Sequence, residues 1–141
     1  MVEKTLWQQR LDDIVSGNIE KPKLVEILRL PDIDEWQQGK LVTHWDVDEA
    51  FFTVGQSLFG GYIGCLADQV LSHTALTVLD EKKLFRTITL NVDFFNPIVK
   101  GRLDIEGSIL HHSKSRIHGQ VELRQKEQLM ARAYGVQQLS G

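Results

Sequence analysis

Between Ala50 and Leu79 the chain carries one formal charge, the carboxylate of Asp68. The run reads AFFTVGQSLFGGYIGCLADQVLSHTALTVL; it opens on aromatics, breaks at Gly60-Gly61 and continues apolar or small on nearly every face. A helix that is hydrophobic all round is a buried helix. A lone acid there must be neutralised, paired or used, because burying an unpaired carboxylate is costly. Asp68 lies two turns past a glycine pair that would open the helix with backbone N–H groups lacking intrahelical partners. Hydrolysis needs both features. Donors at a helix start, reinforced by the helix dipole, stabilise a developing oxyanion. Glycine lets a reacting carbonyl approach the backbone closely. Losing one such donor typically costs about 3–4 kcal/mol in the barrier. A carboxylate held in an apolar site is a better base for water than a solvated one.

The other chemistry-bearing residues read more modestly. Ser72 stands four residues past Asp68 and could bond it across one turn, or bond its own helix backbone. His73 reads as a satisfied core histidine. His111, His112 and His118 fall at a turn and the next strand, without acid or Cys partners at ligand spacing, so no metal site is expected. Lys114-Ser115-Arg116 reads as a solvated turn. Phe51, Phe52, Phe59 and Tyr62 are expected to give a pocket an aromatic wall. Cys65 is the single cysteine, so no intrachain disulfide forms, and it reads as a small core residue in a reducing, cytoplasmic setting.

These residues need a frame. Residues 1–38 read as a helical extension. Leu6, Trp7, Arg10, Leu11 and Ile14 recur at helical spacing up to Gly17-Asn18, and Pro22 opens a second helical stretch, Lys23 to Leu30. Asp32 to Gly39 is polar and turn-like. Residues 39–141 form the domain proper. Leu41 to Val47 is its first strand and Phe59 to Val78 the long helix. In Phe85 to Phe94 the period changes to two. Ile88, Leu90, Val92 and Phe94 take one face, and Thr87, Thr89, Asn91 and Asp93 the other. Arg102 to Leu110, Ser115 to Arg124 and Leu129 to Gln138 complete about five strands, the last small on one face at Ala131, Ala133 and Gly135. Consecutive strands with short turns pair antiparallel. The fold class is therefore α+β, one antiparallel sheet around one long helix. Its remaining face and edges call for self-association.

A chain of 141 residues with formal net charge −3 fits one domain with a sizeable core. No Lys/Arg block suggests a nucleic-acid partner. The N-terminus has no apolar stretch of signal-peptide type. The apolar run is too interrupted to be a membrane span.

The order strand–helix–four strands resembles the hotdog fold. Phe59-Gly60-Gly61-Tyr62-Ile63-Gly64-Cys65-Leu66-Ala67-Asp68 is similar to the HGG-x4-LAD signature of acyl-CoA thioesterases of the phenylacetate-pathway (PaaI-like) type. Thr87 to Pro97 followed by Gly101, and the final Ala131-Arg132-Ala133, resemble strands of that family. The likeness covers roughly residues 39–138.

The resemblance implies a thioesterase that cleaves an acyl-CoA to a carboxylic acid and free CoA, with no metal or redox cofactor. Asp68 would act as general base or nucleophile. The Gly60 N–H would polarise the thioester carbonyl, with Gly61 beside it. A Thr87 hydroxyl would hold the water or the acid. The site would form between two subunits of a homodimer, arranged as a dimer of dimers, with Asp68 facing Gly60 of the other chain. Ser115 and Arg116 would approach the CoA phosphates. Two positions depart from the pattern. The family's His before the glycines is Phe59, and its Asn six residues earlier falls at Thr53. Those departures keep open a non-catalytic acyl-CoA-binding module. A hydratase or dehydratase on the same fold is the third reading.

Overall fold

The computed structural model describes residues 3–141. Two short helices lead the chain. Thr5 caps α1 (Leu6–Ser16) in a reciprocal capping box with Gln8, and Gly17 ends it in a left-handed conformation. The second helix, α2 (Lys23–Ile27), stops short of the expected Leu30 because Arg29 turns to positive φ. The extension is fastened to the domain at several points. Leu11 is fully buried, Gln8 Nε2 donates to the Thr77 carbonyl at 2.9 Å, and Trp36 Nε1 donates to Asp12 at 2.9 Å.

Six strands make one antiparallel sheet: β1 (Glu35–Gln37), β2 (Lys40–Asp46), β3 (Leu84–Phe94), β4 (Arg102–His112), β5 (Arg116–Gln125) and β6 (Gln128–Ser140). Their order across the sheet is β1-β2-β4-β5-β6-β3. Two points differ from the expectation of the sequence. Residues 35–37, turn-like by composition, pair with β2 as a short edge strand. And β3 pairs with β6 rather than with the strand next to it in the chain. The segment from Phe95 to Gly101 crosses the ends of two strands to reach β4. The Phe95 and Asn96 amides donate to Met130 O in β6 at 2.9 and 3.1 Å, and Gln125 at the end of β5 bonds both the N–H and the carbonyl of Val99. Ile98, in the middle of this crossing, is buried.

The long helix α3 (Gly60–Leu76) lies on one face of the sheet. Leu103 and Ile105 of β4, Ile117, Val121 and Leu123 of β5, and Ala131 and Ala133 of β6 form the apolar bed beneath it. Fully burying a side chain of this size contributes about 1.5–3 kcal/mol. The small residues set how close the helix comes. A Cβ at Gly119 or Gly135 would stand 2.4 or 2.3 Å from the two methyls of Leu71. The opposite face is polar. One row across it reads Asp93, Arg132, Glu122, Glu106 by register, with Glu122 bonding Arg132 and Arg124 at 2.9 and 3.0 Å. No helix among the described residues is long and apolar enough to cross a membrane.

Candidate active site

Asp68 sits mid-helix on the side of α3 that faces β3, and it is half-buried. Its Oδ1 accepts a hydrogen bond from Thr87 Oγ1 at 2.9 Å. Such a bond to a charged acceptor contributes about 1.5–3 kcal/mol. Strict alternation along the strand predicts Thr87 on the polar face with Thr89, Asn91 and Asp93. The structure instead inserts a bulge between Thr87 and Thr89, with Ile88 as the extra residue. The strand changes phase there. Phe85 and Thr87 face the helix before the bulge, Leu90 and Val92 after it, and Ile88 is left exposed. Ser72 does not hydrogen-bond Asp68; the acid's partner comes from the sheet.

At the start of α3, Phe59 caps without a side-chain hydrogen bond. The amides of Tyr62 and Ile63 return to the Phe59 carbonyl at 3.0 and 3.1 Å. Those of Gly60 and Gly61 find no acceptor among the described residues, as a helix start dictates. Two aromatic rings crowd these donors. A Cβ at Gly61 would stand 2.5 Å from the Phe59 ring, and one at Gly60 would stand 3.4 Å from the Phe94 ring. Both positions need the bare backbone. Phe59, Phe94 and Phe95 are each more than half exposed. An open hollow of about 310 Å³ lies here, lined chiefly by Leu58, Gly60, Ile63, Phe94, Phe95 and Ile98.

Of the expected aromatic wall, Phe59 stands at the helix start, whereas Phe51 and Tyr62 turn inward. Tyr62 is buried and stacks on Phe51 with ring centroids 4.1 Å apart, against Trp45. Its hydroxyl donates to Leu28 O at 2.6 Å, and burial pushes its pKa up. Those rings tie the N-terminal extension to the core. Phe94 and Phe95 join Phe59 at the exposed positions. Their sequence signal was the aromatic pair directly ahead of Asn96-Pro97.

Thr53 lies apart from Asp68, in the tight loop before the helix. Its amide donates to Ser57 O at 2.9 Å and its hydroxyl accepts from the Gly55 amide at 3.3 Å. Ser115 and Arg116 sit at the far end of the sheet, in the turn between β4 and β5 and at the start of β5. Arg116 Nε donates to Gln138 Oε1 at 3.4 Å. Gln138 is also directly opposite Arg86 of β3, so both arginines share the polar face with it. Lys83 Nζ donates to Lys114 O at 2.7 Å. None of these four cations is in an ion pair among the described residues, whereas nine ion pairs join others. His73 faces the crevice between α3 and the N-terminal helices, not Asp68. Burial and nearby Arg10 push its pKa down to about 4. The described residues contain no cluster of three or more His, Cys, Asp or Glu able to hold a metal.

The sequence pattern of the thioesterase superfamily matches residues 55–131, more than half of the chain and the whole stretch that carries Gly60, Asp68 and Thr87. The chain belongs to the thioesterase superfamily. It is a thioester hydrolase of the hotdog fold. Among solved structures it is similar to a phenylacetic acid degradation-related protein of Ralstonia eutropha, at 21% identity over 91% of this chain and 98% of that one, with TM-score 0.81. The PaaI protein of the Escherichia coli phenylacetic acid degradation operon matches at 19% identity, 94% and 95% coverage and TM-score 0.80. A Streptococcus mutans protein bound to acetyl CoA matches at 19% identity, 79% and 89% coverage and TM-score 0.72. No curated protein sequence matches the chain significantly.

Proposed function

We propose that the substrate is an acyl-CoA and that Asp68 is the base that activates water against its thioester carbonyl. The observation that carries this reading is the half-buried Asp68 carboxylate anchored by Thr87, on the same helix whose first two amides are free to polarise a carbonyl. Water attacks the carbonyl carbon and gives one proton to Asp68. The tetrahedral oxyanion is held by backbone N–H groups. It collapses with cleavage of the C–S bond, and the proton passes to the departing CoA thiolate. The products are a carboxylic acid and free CoA.

One helix cannot supply both parts to one carbonyl. Gly60 and Asp68 are eight residues apart, which separates them by about 12 Å along the axis. An attacking water and an oxyanion donor must lie about 3 Å from the same reacting group. We therefore assign the donors to Gly60 of a second copy. β3 is an eleven-residue edge strand beside Asp68. It exposes Leu84, Ile88 and Phe94, and an open apolar edge favours pairing with another chain. Two such dimers would associate in turn.

Lys83, Arg86, Lys114 and Arg116 suit the phosphates of the CoA nucleotide, since arginine binds phosphate bidentately. The hollow beside Gly60 suits an apolar acyl group. The test mixes wild-type protein and Asp68→Asn with aryl- and alkyl-CoA thioesters and a thiol reagent that reports free CoA. CoA release by the wild type and not by the variant supports the assignment. Equal release by both removes Asp68 as the base. Binding without release from either protein returns the chain to an acyl-CoA-binding module.

A further inference from the structure

The two N-terminal helices do not close fully on α3. Between them and α3 lies a crevice of about 160 Å³. Ile14, Ile19, Leu24 and Val25, from α1, α2 and the loop joining them, give it an apolar wall. A cavity of roughly 150 Å³ with apolar walls is large enough to hold a benzene ring. Pro22 and Pro31, which fix their own φ, bracket α2 at the rim. Little of the crevice therefore needs ordering when a ligand enters.

The polar groups of the crevice are few and unequally charged. Gln69 and His73 come from α3, with Gln69 Nε2 3.4 Å from His73 Nε2, the one side-chain hydrogen bond either makes among the described residues. His73, its pKa pushed down to about 4 by burial and Arg10, is neutral near pH 7. Three charged residues complete the lining, Arg10, Lys21 and Asp32. Lys21 and Asp32 answer each other at 3.1 Å. Arg10, exposed at the mouth, has no acidic partner among the described residues. The crevice thus pairs an apolar wall with a single unanswered cation.

We propose that this crevice is a binding site for a small monocarboxylic acid. The apolar body lies against Ile14, Ile19 and Val25, and the carboxylate meets the Arg10 guanidinium at the mouth. Arginine presents a planar fork of donors that matches a carboxylate. An apolar hollow with a few placed polar groups is the usual form of a small-ligand site. The site is separate from the hydrolytic one. Asp68 turns to Thr87 of β3, whereas its neighbour Gln69 turns to the crevice. The acid released by thioester cleavage belongs to the class that fits, but binding here does not require turnover. A bound acid would tie α1 and α2 to α3.

Titration calorimetry of the wild-type protein with hexanoate and benzoate tests this, with hexanol and inorganic phosphate as controls. We expect at least one of the acids to bind with Kd at or below about 1 mM, and both controls to bind about fivefold more weakly or worse. Arg10→Gln should weaken binding of the acid about 3- to 10-fold and leave hexanol unaffected. Amide NMR shifts should move at Ile14, Ile19, Val25 and Gln69, in Asp68→Asn as in the wild type. No binding of either acid overturns the proposal. So does equal binding of hexanol, or equal binding of the acid by Arg10→Gln, since either removes the role of the charge. Phosphate bound as tightly as the acids removes the role of the apolar wall. Shifts confined to Gly60 and Thr87 would put the acid in the hydrolytic site instead. None of these readouts uses turnover, so loss of the Asp68 assignment would leave the crevice to be judged by itself.

Discussion

The Thr87 hydroxyl reaches the Asp68 carboxylate because Ile88 is one residue too many for the pairing of β3 with β6. Without that extra residue Thr87 would fall in phase with Thr89, Asn91 and Asp93 on the polar side of the strand. Bulges recur beside functional sites because they re-aim a side chain at the cost of one ladder position. Here the bulge turns a threonine inward and an isoleucine outward in one step. The outward Ile88 then joins the apolar edge proposed to meet the second copy. One irregularity thus sets the direction of both side chains.

Replacing Thr87 by valine keeps the shape and removes the donor. The lost bond to a charged acceptor is of the order of 1.5–3 kcal/mol. We expect kcat to drop about 10- to 100-fold, with the protein still folded because Thr87 is only partly buried. Steady-state kinetics with a thiol reagent, alongside circular dichroism, checks this. Unchanged kcat would mean that the hydroxyl is a bystander.

The helix, most strand periods and the places of Gly60-Gly61 at the helix start and Asp68 within it were legible because each depends on local spacing. The helix spans Gly60–Leu76 where apolar continuity pointed to residues 59–78. The 125–127 turn was legible from its length, and the structure places Lys126 and Glu127 at positive φ there, as two-residue hairpin loops require. Three features were not legible. The neighbour of β3 depends on where residues 95–101 cross, which is set by bonds to Met130 and Gln125 far along the chain. The bulge at Ile88 hides in a strand whose strict alternation fits an unbroken ladder equally well. Gln137 carried a signal, a polar residue in phase with Ala131, Ala133 and Gly135, but its burial becomes visible only once α3 is seated on the sheet.

Phe59 stands where the signature that this helix start resembles has histidine, and its ring lies over Gly61. An imidazole in that position would bring an N–H to the helix start beside the free amides. Phe59→His is therefore expected to raise kcat severalfold. Its effect on melting temperature should be small, because the ring is 57% exposed and exposed substitutions usually stay within about 0.5 kcal/mol. A lower kcat with unchanged KM would show that the phenyl ring itself aids the reaction.

Arg86 and Arg116 flank Gln138 on the polar face, and neither has an acidic partner among the described residues. If they bind the nucleotide phosphates, Arg86→Ala and Arg116→Ala should each raise KM for an acyl-CoA about 3- to 10-fold, the yield of one partly exposed charge-assisted contact. Both should leave kcat intact. A thioester of pantetheine, which lacks the nucleotide, should show no difference between wild type and variants. Added salt should weaken acyl-CoA binding by the wild type more than by the double variant. Equal effects on both substrates would place the patch outside the binding path.

His73 links pH to the seating of the N-terminal helices. Its pKa is pushed down to about 4, by burial first and by Arg10 second, while the unfolded chain titrates near 6.5. The unfolded state therefore binds more protons between these values, so stability falls as pH drops through that window and levels off below it. The full loss is at most of the order of 3 kcal/mol. Asp12 and Asp48 have pKa values lowered by their partners, so their losses come at more acid pH and do not mask the effect. His73 lines the crevice with Arg10, Ile14, Val25 and Gln69, and a charged imidazole beside Arg10 would push the extension outward. We expect the melting temperature to fall between pH 7 and pH 4.5, with faster amide exchange in α1. In His73→Gln, which cannot titrate, the slope should flatten over the same range. An equal slope in both proteins would assign the acid sensitivity to other groups.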